Sequence, residues 1–199
     1  MLSDEEPSLP PYDGIKLADV RMVKSDKDAA AAMRALLAMD VIGFDTESKP
    51  TFLKGEVSTG PHLVQLATDD CAYLFQISAM PAAQVLNTVL KEVLESPTIL
   101  KVGFGLADDV KRLRSKLGIE AGNVLDLSTA LRKKNERNTL GAKTAVARFF
   151  GQTLQKSKKI TTTNWALPRL SEKQILYAAD DAHVALKIYR RWRLNQPAE

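Results

Sequence analysis

Val41-Ile42-Gly43-Phe44-Asp45-Thr46-Glu47 reads as a β-strand that ends in two acids. Side chains along a strand alternate faces, so Asp45 and Glu47 project to one side and Phe44 and Thr46 to the other. Gly43 precedes the acids on their own side and leaves room there. Two carboxylates closing an apolar strand are costly to bring together unless a cation compensates them. Asp-x-Glu is a cheap pattern, since Asp4-Glu5-Glu6 fits it as well. Its place on a strand sets the second occurrence apart.

Outward from that strand, alternation and helical periodicity predict the rest. Residues 15–23 read as a first strand, and Ser25 or Asp26 caps an Ala-rich helix over 29–39. After the acidic strand comes a loop punctuated by Pro and Gly, then a hairpin over 62–68 and 72–77. A helix is expected from Pro81 through Leu94, a strand over 99–104, an amphipathic helix over 107–117 and a last strand over 124–127. Further helices run through Leu131, over 142–150 and over 171–191. The order implies a mixed sheet covered by helices, an α/β fold. Residues 1–14 are expected to be a disordered tail and 15–199 one domain, a length that suits a single sizeable core.

Two other segments carry acids in unusual settings. In Val102-Gly103-Phe104-Gly105-Leu106-Ala107-Asp108-Asp109 a strand turns into a helix through two glycines. Leu106, Val110, Leu113 and Leu117 form the buried stripe of that helix, which puts Asp109 at its rim and Asp108 opposite it. Asp108 then reads as a solvated acid favoured by the helix dipole. In Tyr177-Ala178-Ala179-Asp180-Asp181, Tyr177 and Asp181 are four apart and share a helix face. Asp180 is turned further toward solvent. Taken singly, each segment has a bland reading as a helix-start acid or a surface pair.

Composition narrows the class. The chain has 199 residues, 45% hydrophobic and 26% charged, with a formal net charge of +4. No apolar run approaches the roughly 20 residues that cross a bilayer, and the acidic, Pro-containing start is unlike a signal peptide. With Cys71 as its one cysteine, the chain has neither an intrachain disulfide nor a thiolate metal site. A cytoplasmic location is expected, with no membrane and no obligate protein partner. Basic residues gather late, at 111–114, 132–134, 156–159 and 190–193. Such clusters suit a polyanion or equally a solvated helix face.

In this order and context the three segments resemble the motifs of the DEDDy-type 3′-5′ exonuclease family, over about residues 15–193. His62-Leu63-Val64-Gln65-Leu66 resembles the family's second strand, and Asn138-Thr139-Leu140 begins its helix toward Phe149-Phe150-Gly151. The stretch 154–165 and Leu170-Ser171-Glu172-Lys173-Gln174 resemble the approach to its third motif. The resemblance implies a ribonuclease H-like mixed β-sheet flanked by helices, and hydrolysis of a nucleic acid from a free, single-stranded or frayed 3′ end to nucleoside monophosphates. It implies two ions of Mg²⁺ or Mn²⁺, with Asp45 bridging them, Glu47 and Asp181 completing the first site, and Asp109 holding the second through water. Tyr177 would orient the attacking water. Lys156 and Lys158 match basic positions that could meet phosphates, although a solvated loop fits them equally. Trp165 could stack on a base or pack against the last helix, and Phe52 is a candidate wedge at the terminal base. His183 reads as structural or solvated, and His62 is assigned no role. DNA is favoured over RNA because the compact chain resembles the Werner-type domain. Two departures from the family, a loop over 48–60 that does not align and no helical RNA-binding domain of the ribonuclease D kind, leave structured or small RNA open. Two alternatives stand beside this reading: a ribonuclease D-type RNA-processing enzyme, and a binding module that has lost catalysis.

Overall fold

The computed structural model describes residues 9–51, 55–77 and 83–196. A 3-10 turn, Leu17–Asp19, leads into β1, Val20–Met22. Helix α1, Asp26–Leu37, is capped by Ser25, whose hydroxyl accepts from the Asp28 amide. Strand β2, Val41–Glu47, is followed by β3, Leu63–Ala67, and β4, Ala72–Gln76. Helix α2, Ala83–Leu94, precedes β5, Leu100–Gly103. Helix α3, Ala107–Arg112, widens into a π turn over Leu113–Leu117 and stops at Gly118, whose φ of 64° is left-handed. Strand β6, Val124–Asp126, and the short α4, Leu127–Ala130, come next. Then follow α5, Ala142–Phe150, the single turn α6, Lys158–Thr161, and the long α7, Glu172–Leu194.

The six strands form one mixed sheet in the order β1-β4-β3-β2-β5-β6. Neighbours β2/β3 and β3/β4 run antiparallel, while β1/β4, β2/β5 and β5/β6 run parallel. Both faces are covered. Ile42, Phe44, Val64 and Leu66 meet α1, α2 and α3 on one side. On the other side Leu63, Ala67 and Leu74 meet Trp165 and the α7 alanines Ala178, Ala179 and Ala182. This is the mixed sheet covered by helices that the strand and helix order predicts, and the ribonuclease H-like arrangement that the family resemblance implies. Its central relationship is between β2 and α7: a Cβ on Gly43 would collide with the Ala182 carbonyl oxygen, so glycine lets the helix backbone lie on the strand.

Three boundaries differ from expectation. The first strand covers only Val20–Met22 rather than 15–23, because its parallel partner β4 begins at Ala72, opposite Val20, and Leu17–Asp19 form a 3-10 turn. Residues 9–14 are not disordered: the Tyr12 amide donates to the Thr153 carbonyl, the Thr153 amide donates to the Pro10 carbonyl, and the Tyr12 ring lies 5.7 Å from that of Phe150. The earlier tail, residues 1–8, falls outside the described residues, as does the expected helix start at Pro81. The turn of α6 lies in a stretch for which no helix was expected.

Candidate active site

The site lies where the C-terminal end of β2 meets the middle of α7. Asp45, Glu47 and Asp181 each offer a carboxylate oxygen, and the three oxygens lie within 4.8 Å of one another, the one such acid or His group among the described residues. Two come from alternate positions of β2 and the third from the helix that Gly43 admits. The N-terminus of α7 is fixed by a capping box: Ser171 Oγ accepts from the Gln174 amide, and Gln174 Oε1 accepts from the Ser171 amide. Alanines at 178, 179 and 182 let the helix approach the sheet, and they carry Asp181 in with them.

Crowding half-buried and buried acids together changes their protonation. Burial, then the charges of Asp181, Asp109 and Glu47, raise the Asp45 carboxyl well above the ordinary range. Glu47 is pushed up to about 8 by burial and then by Asp181. Asp181, only 9% exposed, is raised by burial against the opposing pull of Lys156. Such a group favours either protons or a cation. Its oxygen donors are hard ligands of the kind that suit Mg²⁺, Mn²⁺ or Ca²⁺ rather than a thiophilic metal.

Asp109 is 6% exposed and falls outside that group of three oxygens, yet lies near enough for its charge to raise Asp45 and Glu47. It starts α3 on the opposite layer of the sheet, where the Thr46 hydroxyl donates to its Oδ1 and Arg112 approaches at 3.4 Å. Burial raises its pKa, and the Thr46 and Arg112 contacts pull it back. Asp108 is exposed, as its opposite helix position predicts. Asp180 departs from expectation: it turns not to solvent but to the N-terminal segment, accepting from the Ile15 amide at 3.0 Å beside Gly14.

The Tyr177 hydroxyl meets Thr161 Oγ1 at 2.9 Å, and its pKa is pushed up to about 12 by burial and by Asp181. It stays a neutral phenol near pH 7. Lys156 points into the acid cluster rather than away from it, with Nζ 2.5 Å from Asp181 Oδ1 and 5.5 Å from the centre of the Tyr177 ring. Trp165 is fully buried, its ring 6.1 Å from that of Tyr177 and its Nε1 donating to the Thr161 carbonyl. No face of it is free for a base, so packing against α7 replaces the stacking role. Phe52 and the Lys158 side chain lie outside the described residues. His183 is buried with Nε2 3.1 Å from the Asp69 carbonyl, and His62 Nδ1 accepts from the Lys49 amide at the base of the 48–61 loop. Sequence reasoning missed Thr46, Arg112 and Thr161. Thr46 alone carried a signal, as a polar residue facing a layer otherwise filled by Ile42 and Phe44.

Residues 20–194 match a family model described as 3′-5′ exonuclease, and the chain belongs to that family. It is 32% identical over 153 residues to the mouse bifunctional 3′-5′ exonuclease/ATP-dependent helicase WRN, covering 76% of this chain and 11% of that protein. An Arabidopsis thaliana 3′-5′ exonuclease is 29% identical over 154 residues, 75% of this chain and 51% of its own. The chain thus spans about half or less of the length of these relatives. The EXO domain of Aedes aegypti Nibbler superposes with a TM-score of 0.74 at 25% identity, covering 89% of this chain and 88% of that one. Escherichia coli RNase D shares the fold at a TM-score of 0.73 and 22% identity, over 88% and 44% of the two chains. Among the described residues no helix is long and apolar enough to cross a membrane.

Proposed function

We propose that this chain is a divalent-metal-dependent 3′-5′ exonuclease acting from residue 15 onward as one catalytic domain, with Asp45, Glu47, Asp109, Asp181 and Tyr177 as its working residues. The observation that carries this reading is the convergence of Asp45, Glu47 and Asp181 oxygens within 4.8 Å, in a chain of the 3′-5′ exonuclease family. Asp45, Glu47 and Asp181 would hold one Mg²⁺ or Mn²⁺, and Asp45 with Asp109 a second. Bound there, the ions supply charge neutralisation at the phosphate and acidify water.

The protein's own groups do the rest. Tyr177 presents a neutral hydroxyl beside Asp181, fit to orient a water without serving as its main base. Thr46 keeps the Asp109 carboxylate turned toward the strand end. Lys156 supplies a cation at the same mouth, in reach of a phosphate once it leaves Asp181. Contacts of this kind position a strand without reading its sequence, which suits stepwise removal of nucleotides. A pure binding module has little use for buried acids that raise one another's pKa. DNA is the preferred substrate in this reading, on the likeness to the compact Werner-type domain.

Single-stranded and recessed DNA and RNA, each incubated with Mg²⁺ or Mn²⁺, test it by their products. Nucleoside 5′-monophosphates released in order from the 3′ end, faster from DNA, are the expected result. Internal fragments, or 3′-monophosphates, would overturn it.

A further inference from the structure

We infer that Lys156 is a built-in counter-cation, occupying the acid cluster when no divalent ion is bound and leaving it when one enters. The inference rests on the metal-site reading above and adds a competitor to it. Among the described residues Lys156 is the cation seen paired with Asp181, at 2.5 Å, and its charge also reaches Asp45 and Glu47. Its stem is no surface whip, since its side chain is 34% exposed and its ammonium sits by the Tyr177 ring.

The segment carrying it is built like a strap. At one end Thr153 pairs with Pro10 and Tyr12, and Leu154 is buried. At the other end Trp165 is fully buried and Thr163 Oγ1 accepts from Gln174 Nε2. Between these anchors Gln155, Ser157, Lys159 and Thr161 are exposed. The same strap places Thr161 on the Tyr177 hydroxyl. One short span therefore engages both a carboxylate and the phenol of the site, with Ile160 packed on the core between its anchors.

An ammonium and a divalent ion cannot share the Asp181 oxygen without strong repulsion. Metal then binds the fraction of molecules in which Lys156 has swung out, so its apparent affinity is lowered by that fraction. The released ammonium is free for a phosphate oxygen, which couples metal loading to substrate capture. Removing the ammonium leaves buried acids unpaired, a costly state that makes the metal-free protein less stable and the incoming ion more welcome.

Mn²⁺ titrated calorimetrically into the whole chain without nucleic acid, wild type against Lys156→Met, reads this directly. Lys156→Met is expected to bind the first ion about tenfold tighter or more, and to melt at a lower temperature in chelator. Equal affinity in the two proteins, with wild type binding Mn²⁺, overturns the counter-cation while sparing the metal site. No binding by either protein overturns the metal site and this inference with it. Should Lys156→Met fail to fold in chelator, trypsin acting on wild type replaces it. Mg²⁺ is expected to speed cleavage after Lys156 relative to cleavage after Lys91, and unchanged or slower relative cleavage contradicts the inference.

Discussion

The Thr46 hydroxyl donates to Asp109 Oδ1, so the fourth acid is held from the face of β2 opposite Asp45 and Glu47. The strand thus turns two acids, Asp45 and Glu47, toward Asp181 of α7 and, through Thr46, holds a fourth, Asp109 of α3, from its other face. Thr46→Val keeps the shape and deletes the donor. It is expected to cost about 1.5–3 kcal/mol, the range for a hydrogen bond to a charged group, in urea unfolding with chelator present. Its exonuclease rate should fall less than that of Asp109→Ala. Unfolding at the wild-type midpoint would mean the contact contributes nothing.

Gly43→Ala places a Cβ against the Ala182 carbonyl, where backbone meets backbone and no side chain can turn aside. A destabilisation of about 3 kcal/mol or more is expected, with weaker Mn²⁺ binding because α7 carries Asp181. Gly141→Ala, whose added Cβ meets open space, should stay within about 1 kcal/mol. Equal melting temperatures for the two variants would refute the close approach.

These two relationships show what the sequence could and could not disclose. Period-two alternation placed Asp45 and Glu47 on one face, and four-residue spacing joined Tyr177 to Asp181, because both are local geometry. Side-chain partners across the fold were not legible. Thr161 reaching Tyr177, Lys156 turning inward and Asp180 receiving the Ile15 amide depend on how distant segments dock. Trp165 in the sequence is compatible with stacking or packing, and only its burial under the strap decides between them. The short β1 departs from the sequence expectation for a similar reason, since strand length at an edge is set by the partner strand.

The pH dependence of the metal-free protein has a definite sign. The Glu47 carboxyl has an ordinary value of 4.5 and rises to about 8 in the fold, so between those values the native state holds more protons than the unfolded chain. Stability therefore falls as pH rises through that window, and Asp45, Asp109 and Asp181, also raised, act in the same direction. In chelator the melting temperature should drop by on the order of 5 °C from pH 5 to pH 8. Saturating Mn²⁺ should flatten the fall, because the ion binds only the folded state. A melting temperature that climbs with pH in chelator would show that the acids are not crowded.

Tyr177→Phe removes one hydroxyl and its bond to Thr161 while keeping the ring against Trp165. A loss of about tenfold or more in kcat is expected, with KM, folding and Mn²⁺ affinity little changed. Turnover at the parent rate would make Tyr177 a packing residue.

The central claim is that the β2 and α7 acids hydrolyse nucleic acid from its 3′ end with metal. It is tested most directly by digesting a 5′-labelled single strand with wild type, Asp45→Ala and Asp181→Ala, in Mn²⁺ and in chelator. The account predicts stepwise shortening from the 3′ end by wild type in Mn²⁺ and no shortening in the other five reactions. Shortening in chelator, or by either variant at the wild-type rate, would contradict it.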